Sequence, residues 1–205
     1  MKQYPSIDRN LRKDTYIYAF DKLDGSNIRA EWNSKRGFYK FGTRTQLMDE
    51  NTKPFGQAIS LIKEKYEEWL GVVFKENKWR DAICFFEFHG PNSAFGAHVE
   101  EDKKNVTLID VNPFKRGILE PKEFIKLFGN LGTPKVLFEG FITPEFVDAV
   151  KDGTLKDMTC EGVVCKGASD TNAQMPIMFK IKSRLWLEKL KNYCNGNETL
   201  YNKLV

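Results

Sequence analysis

The sequence has no apolar run long enough to cross a bilayer as a helix; its longest are pieces such as AICFF at 82–86. The opening residues, MKQYPSIDRN, lack the apolar centre of a secretory leader. Both absences point to a soluble chain expected in the cytoplasm, or in the host-cell cytoplasm for a viral protein. Cysteine is scarce: Cys84, Cys160, Cys165 and Cys194 fit a reducing compartment better than a disulfide framework, and none sits in a C-x-x-C pair. Histidine is scarcer still, and His89 and His98 have no partners at zinc-site spacing, so a structural metal is not expected. Cys84, inside an apolar run, reads as a buried structural thiol. There is no internal repeat and no low-complexity linker. Charge of one sign is also lacking: the net charge is only +4, which tolerates a polyanionic partner without demanding one. The positive charge is uneven, however. Lys180, Lys182, Arg184, Lys189 and Lys191 crowd the last quarter, and Arg9, Arg12 and Lys13 the beginning. Such clusters are more often solvated faces than binding surfaces.

What is present suffices for a real core: 205 residues, of which 41% are hydrophobic. YIYAF at 16–20 is β-branched and aromatic and predicts a strand, and DGSN at 24–27 is a turn former. Ile28, Ala30 and Trp32 then alternate with polar neighbours at the period of a half-buried strand. GFYKFG, DAICFFEF, NVTLIDV, KVLF, EGVVCK and MPIMFKIK supply further strands. Phe55, Ala58, Ile59, Ile62 and Tyr66 recur at helical spacing and predict an amphipathic helix over 54–70. PKEFIKLF and PEFVDAV predict short helices, the second ending at Gly153, and a last helix runs from about Arg184 to Tyr193, with a frayed tail after Asn195. The strands and helices do not follow a regular βαβ rhythm, so the expected class is α+β with largely antiparallel sheets flanked by helices, in one compact domain over 1–205.

The chemistry-bearing residues lie on these elements. Lys22, in AFDKLDGSN, stands between Asp21 and Asp24 at the mouth of a turn. A lone K-x-D-G is a weak signal whose bland reading is a turn with solvated charges. Glu87 ends an otherwise apolar strand in FEFHG, and Glu161 heads another in CEGVVCKG. Lys180 and Lys182 alternate with Phe179 and Ile181, so both lysines share one strand face, where they repel unless an anion lies between them. A phosphate would satisfy both.

Taken in order, KLDGSN at 22–27, Arg44 in FGTRTQ, Glu87 in FFEFHG, the TLIDV strand, Glu161 in EGVVCKG and FKIKS at 179–183 resemble the ordered motifs of the covalent nucleotidyltransferases. That superfamily comprises ATP-dependent DNA and RNA ligases and mRNA capping enzymes; the nearest overall likeness is to the phage-type, nick-sealing RNA ligases. The resemblance spans residues 17–184. It implies a nucleotidyltransferase (ATP-grasp-like ligase adenylation) fold and an ATP-dependent polynucleotide ligase, with RNA ahead of DNA, that joins 5′-phosphate and 3′-hydroxyl ends through a lysyl-AMP intermediate. ATP would be the AMP donor and Mg2+ or Mn2+ the metal. The substrate would be RNA or a nicked duplex.

By the same resemblance, Lys22 is the nucleophile, and it must be neutral to attack. Lys180 and Lys182 contact the α-phosphate, Arg44 the phosphates or the accepting 5′ end, and Glu87 the ribose hydroxyl. Glu161 holds the metal through water, Asn27 orients phosphate or metal water, and Phe20 and Asp21 flank the adenine through backbone groups. Ile109 floors the base where relatives often place an aromatic. Gly25 lets the chain turn close to the nucleotide. Asp24 follows the wider ligase pattern where the nick-sealing group often has histidine. Lys166, past the EGVV strand, is expected to matter much less. Only 23 residues follow Lys182, which leaves no room among them for the accessory C-terminal domain most relatives carry. Grip on nucleic acid would then fall to the basic last helix, through Arg184, Lys189 and Lys191, or to a separate recruiting protein. The alternatives are a DNA ligase, a GTP-using RNA capping transferase of the same fold, and a nucleotide- or nucleic-acid-binding module without catalysis.

Overall fold

The computed structural model describes residues 1–12, 14–169 and 175–205; Lys13 of the basic amino-terminal cluster lies outside the described residues. In chain order the elements are β1 (Tyr16–Asp21), β2 (Ser26–Asn33), β3 (Gly37–Thr43), β4 (Leu47–Met48), α1 (Gln57–Glu76), β5 (Asp81–His89), β6 (Asn105–Pro113), α2 (Pro121–Phe128), β7 (Val136–Phe141), α3 (Pro144–Asp152), β8 (Gly162–Gly167), β9 (Ile177–Lys182), α4 (Arg184–Cys194) and α5 (Glu198–Leu204). Every strand pairing in the two sheets is antiparallel. The class is α+β. Among the described residues no helix is long and apolar enough to cross a membrane.

The chain divides into two compact units. Unit 1 comprises Met1–Ser6, Gly25–Thr133 and Ser169–Pro176. Its five-stranded sheet has the order β4-β3-β2-β5-β6. On β2, Ile28, Ala30 and Trp32 are buried as the alternation read from the sequence requires, but Arg29 between them is buried too, its guanidinium donating to the Thr43 and Met1 carbonyls. Helix α1 packs Ile59, Ile62, Tyr66, Leu70 and Phe74 inward, at the three-to-four-residue spacing of one helix face. The Tyr66 hydroxyl donates to the Val106 carbonyl (3.2 Å) and accepts from the Leu108 N–H (3.2 Å), which ties α1 to β6.

Unit 2 comprises Ile7–Asp24, Pro134–Ala168 and Ile177–Val205. Its four-stranded sheet has the order β7-β1-β8-β9, so β1 is paired on both sides. Ile17 and Ala19 of β1, Val163 and Cys165 of β8, and Phe179 and Ile181 of β9 share one face and bury against Phe146, Val147 and Val150 of α3. Thr143 caps α3 by accepting from the Phe146 N–H, and Gly153 closes it in the left-handed conformation.

Three expectations need correction. Helix α1 spans Gln57–Glu76 rather than 54–70, because Phe74 continues the buried stripe one turn beyond Leu70. The short strand β4 was not foreseen. The tail is helical rather than frayed: Asn197 accepts from the Leu200 N–H (3.0 Å) and opens α5.

Candidate active site

In unit 2, β1 delivers the lysine turn. Lys22 follows the last residue of β1, and its N–H donates to the Gly162 carbonyl (2.9 Å), which fixes it beside the start of β8. Glu161, immediately before β8, is 3% exposed. One Glu161 oxygen lies 2.9 Å from Lys22 Nζ, and the other lies 2.9 Å from Lys182 Nζ at the end of β9. Residues from KLDG, EGVV and FKIK thus meet at one carboxylate. Gly162 makes this approach possible. Its φ is +129°, and a Cβ there would stand 2.1 Å from the Ile181 carbonyl oxygen, so only glycine lets β8 lie this close to β9.

One carboxylate shared by two ammonium groups leaves a net positive charge, a setting that attracts phosphate. Burial pushes the Lys182 ammonium down to about 8; Glu161 opposes this, and the Lys22 and Lys180 charges act with it. The anion expected between the strand-face lysines is supplied for Lys182 by the protein's own Glu161. Lys180 donates instead to the Val205 carbonyl (3.0 Å).

Asp21 and Phe20 have defined partners in the same unit. The Asp21 N–H donates to the Lys135 carbonyl (2.8 Å), and its carboxylate accepts from the Thr159 N–H (2.8 Å). The Thr159 hydroxyl lies 3.0 Å from that carboxylate and 3.2 Å from the Lys22 carbonyl, bracing the turn from a second side. Burial raises the Asp21 carboxyl, and the Thr159 hydrogen bonds oppose this. Phe20 is 2% exposed. The Lys166 ammonium sits 4.8 Å from the centroid of its ring, and Lys166 is itself buried. On α4, Arg184, Lys189 and Lys191 are all exposed. Arg184 pairs with Asp152, and Lys189 Nζ lies 3.7 Å from Cys160 Sγ.

Unit 1 carries Asn27, Arg44, Glu87 and Ile109. Asn27 and Glu87 stand opposite each other on β2 and β5. The Asn27 Oδ1 is buried with no hydrogen-bond partner. A carbonyl oxygen can only accept, so this atom suits a water or a sugar hydroxyl and not a phosphate oxygen. Arg44 is exposed, just past β3. Ile109 is half-buried where β6 shifts register against β5 by one residue, a bulge of the kind that re-aims a side chain. The close approach at Gly25 is to protein: a Cβ would meet the Phe88 carbonyl oxygen at 2.4 Å.

Sequence reasoning missed Thr159, Ser183, Trp186 and Tyr4. The Trp186 indole N–H donates to the Asp24 carboxylate (2.6 Å), and the Tyr4 hydroxyl bonds to Asp110, the residue after Ile109. The partners of Thr159, Trp186 and Tyr4 are more than a hundred residues away, and only FKIKS, which ends at Ser183, gave any local sign.

Among the described residues, no three His, Cys, Asp or Glu side chains gather where a metal ion could bind. Both Glu161 oxygens already face ammonium groups, so a metal bound directly to Glu161 would stand against two like charges. A hydrated ion held through water would stand farther from both, and such hydration suits a hard divalent cation.

No protein-family model and no curated protein sequence matches the chain. Solved structures do match in fold. An archaeal ATP-dependent RNA ligase aligns with a TM-score of 0.64 at 18% identity, over 95% of this chain and 52% of that one. A mutant Naegleria gruberi RNA ligase with AMP and Mn gives 0.60 at 14%, over 91% and 59%. Another mutant of that ligase, with ATP and Mn, gives 0.60 at 18%, over 88% and 53%. The chain spans between half and three-fifths of the length of these solved ligases.

Proposed function

We propose that the chain is the nucleotidyltransferase domain of an ATP-dependent RNA ligase that joins 5′-phosphate and 3′-hydroxyl ends through a lysyl-AMP intermediate. The observation that carries this reading is the meeting of Lys22, Glu161 and Lys182, from three distant motifs, around one buried carboxylate. The fold it shares with solved RNA ligases, some bound to ATP or AMP and Mn, agrees with it.

In this reading the neutral amine of Lys22 forms a bond to the α-phosphorus of ATP as the bond to the bridging oxygen breaks. Pyrophosphate leaves and the amine's surplus proton is lost. The adenylate then passes to the 5′-phosphate of the RNA, and the 3′-hydroxyl displaces AMP to seal the strand. Lys182 neutralises charge that develops on the phosphoryl oxygens, as electrostatic donors do in a desolvated site, and Lys180 assists once released from Val205. A divalent metal held by Glu161 through water supplies further positive charge to the phosphates. Asn27 Oδ1 accepts from a water or sugar hydroxyl, Glu87 takes the ribose hydroxyl, Arg44 a phosphate, Ile109 the base, and the Phe20–Asp21 backbone flanks it. Arg184, Lys189 and Lys191 meet the polynucleotide, and a recruiting protein is a further partner of the proposal.

The test is incubation with labelled ATP and Mg2+ or Mn2+, followed by a denaturing gel. The wild-type chain should carry covalent label, and Lys22→Ala none. Lys22→Arg should also fail, since a guanidinium stays protonated. Label from GTP alone would point to capping chemistry, and adenylate mapped to another lysine would overturn the assignment of Lys22.

A further inference from the structure

Trp186 lies in the first turn of α4 and is 3% exposed. An indole N–H only donates, and here it donates to the Asp24 carboxylate at 2.6 Å, two residues beyond Lys22. The face of the same ring carries the Lys182 ammonium, 3.5 Å from its centroid, well within the range of a cation–π contact. The start of α4 is tied in turn to the peptide before β8. The Ser183 N–H donates to the Glu161 carbonyl (3.1 Å), the Ser183 hydroxyl donates to the Cys160 carbonyl (2.5 Å), and Ser183 Oγ accepts from the Trp186 backbone N–H (3.1 Å). One side chain therefore touches the lysine turn with its edge and the Glu161-bound lysine with its face, while its helix is anchored to Glu161 itself.

We propose that Trp186 is the positioning residue of the lysine cluster, setting the Lys22 turn against Lys182 through Asp24. The inference rests on the reading of Lys22 as the nucleophile. It gives the aspartate at position 24 a task within the chain: accepting from α4.

The experiment uses the full chain labelled with 5-fluorotryptophan. The other three indoles, Trp32, Trp69 and Trp79, all belong to unit 1. Trp186→Phe assigns the Trp186 fluorine resonance and keeps an aromatic face over Lys182. Asp24→Ala and Lys182→Ala should each move that resonance and leave the other three in place. A Trp186 resonance indifferent to both substitutions overturns the proposal, with circular dichroism confirming that the variants fold.

In the labelling assay, Trp186→Phe should lower the maximal rate of self-adenylylation roughly tenfold or more, the scale of one hydrogen bond to a charged group. The KM for ATP should stay within about twofold. Added to Asp24→Ala, the same change should cost nothing further, and an equal loss in both backgrounds overturns the coupling. Should the wild-type chain take no label at all, the ligase reading fails while the fluorine spectra still decide the role of Trp186.

Discussion

Lys182 shows how one residue reconciles burial with charge. Its folded pKa is lowered from that of a free lysine to about 8, first by burial. It is therefore charged at neutral pH and loses that charge as the pH rises through about 8. If Lys182 steadies the phosphate in the transition state, deprotonation of the nucleophile favours the reaction with rising pH while discharge of Lys182 opposes it. Self-adenylylation should then peak and decline above about pH 8 instead of climbing steadily. Lys182→Ala should cost on the order of 10²–10³ in rate. Lys182→Arg should be slowed less than Lys182→Ala, and its activity should extend to higher pH, because a guanidinium does not discharge. A pH–rate series on the three proteins measures this; an unchanged alkaline limb in the arginine variant would assign that limb elsewhere. Lys166 teaches a different lesson at the same scale. Sequence position marks it as a lysine expected to matter much less than Lys180 or Lys182, and it lies buried over Phe20, so a loss on substitution there would have a packing cause.

Two elements invite tests of their own. At the β8–β9 junction, Gly162→Ala forces a methyl group against the Ile181 backbone from a left-handed φ. It should lower the melting temperature and displace Glu161 together, and labelling should fall even in the fraction that remains folded. In the segment between β5 and β6, His98 packs against Phe55 and Phe88, and its Nε2 lies 2.8 Å from Ser26 Oγ. Burial, with the Lys104 charge and against Asp102, lowers His98 to about 4, and burial beside Lys65 lowers His89 as well. Between about pH 6.5 and 4 the unfolded chain therefore binds more protons than the folded one, so stability is full above that window and falls as the pH drops through it. Thermal melts from pH 7 to 4.5 should show this decline, and His98→Gln should make it shallower. The elements themselves were legible wherever periodicity was long: the β2 alternation and the α1 stripe announce which side is buried. Boundaries were less so, because Gly71 and the valines after it look like the end of α1, although Phe74 still packs inward. Asn195 and Gly196 likewise read as a stop, yet Asn197 starts another helix. Of the site, Lys22, Glu161 and Lys182 could be read because their motifs are local. Thr159 and Trp186 could not, because their partners are fixed only by the strand order of unit 2.

At the scale of the whole molecule, α4 joins two tasks. Its inward face carries Trp186, Leu190 and Cys194, and the first of these holds the lysine cluster. Lys189 and Lys191 stand about 100° to either side of Leu190 around the helix, and both are exposed to solvent. If those lysines meet the phosphates of a polynucleotide, reversing them to glutamate should weaken sealing of a pre-adenylylated nick far more than self-labelling with ATP, which needs no polynucleotide. Arg184 calls for a gentler change. It pairs with Asp152 on the surface, and a glutamate there would set two acids against each other, so Arg184→Gln is the cleaner variant. Binding should be salt-sensitive, with the slope of log affinity against log salt shrinking by about 0.9 for each phosphate contact removed on duplex. The measurement pairs nick-binding isotherms at several salt concentrations with the labelling gel on the same proteins. Equal damage to labelling and sealing would mean that these exposed lysines also shape the nucleotide site. An unchanged salt slope would mean that the polynucleotide lies elsewhere on the chain, and α4 would keep only its task at the lysine cluster.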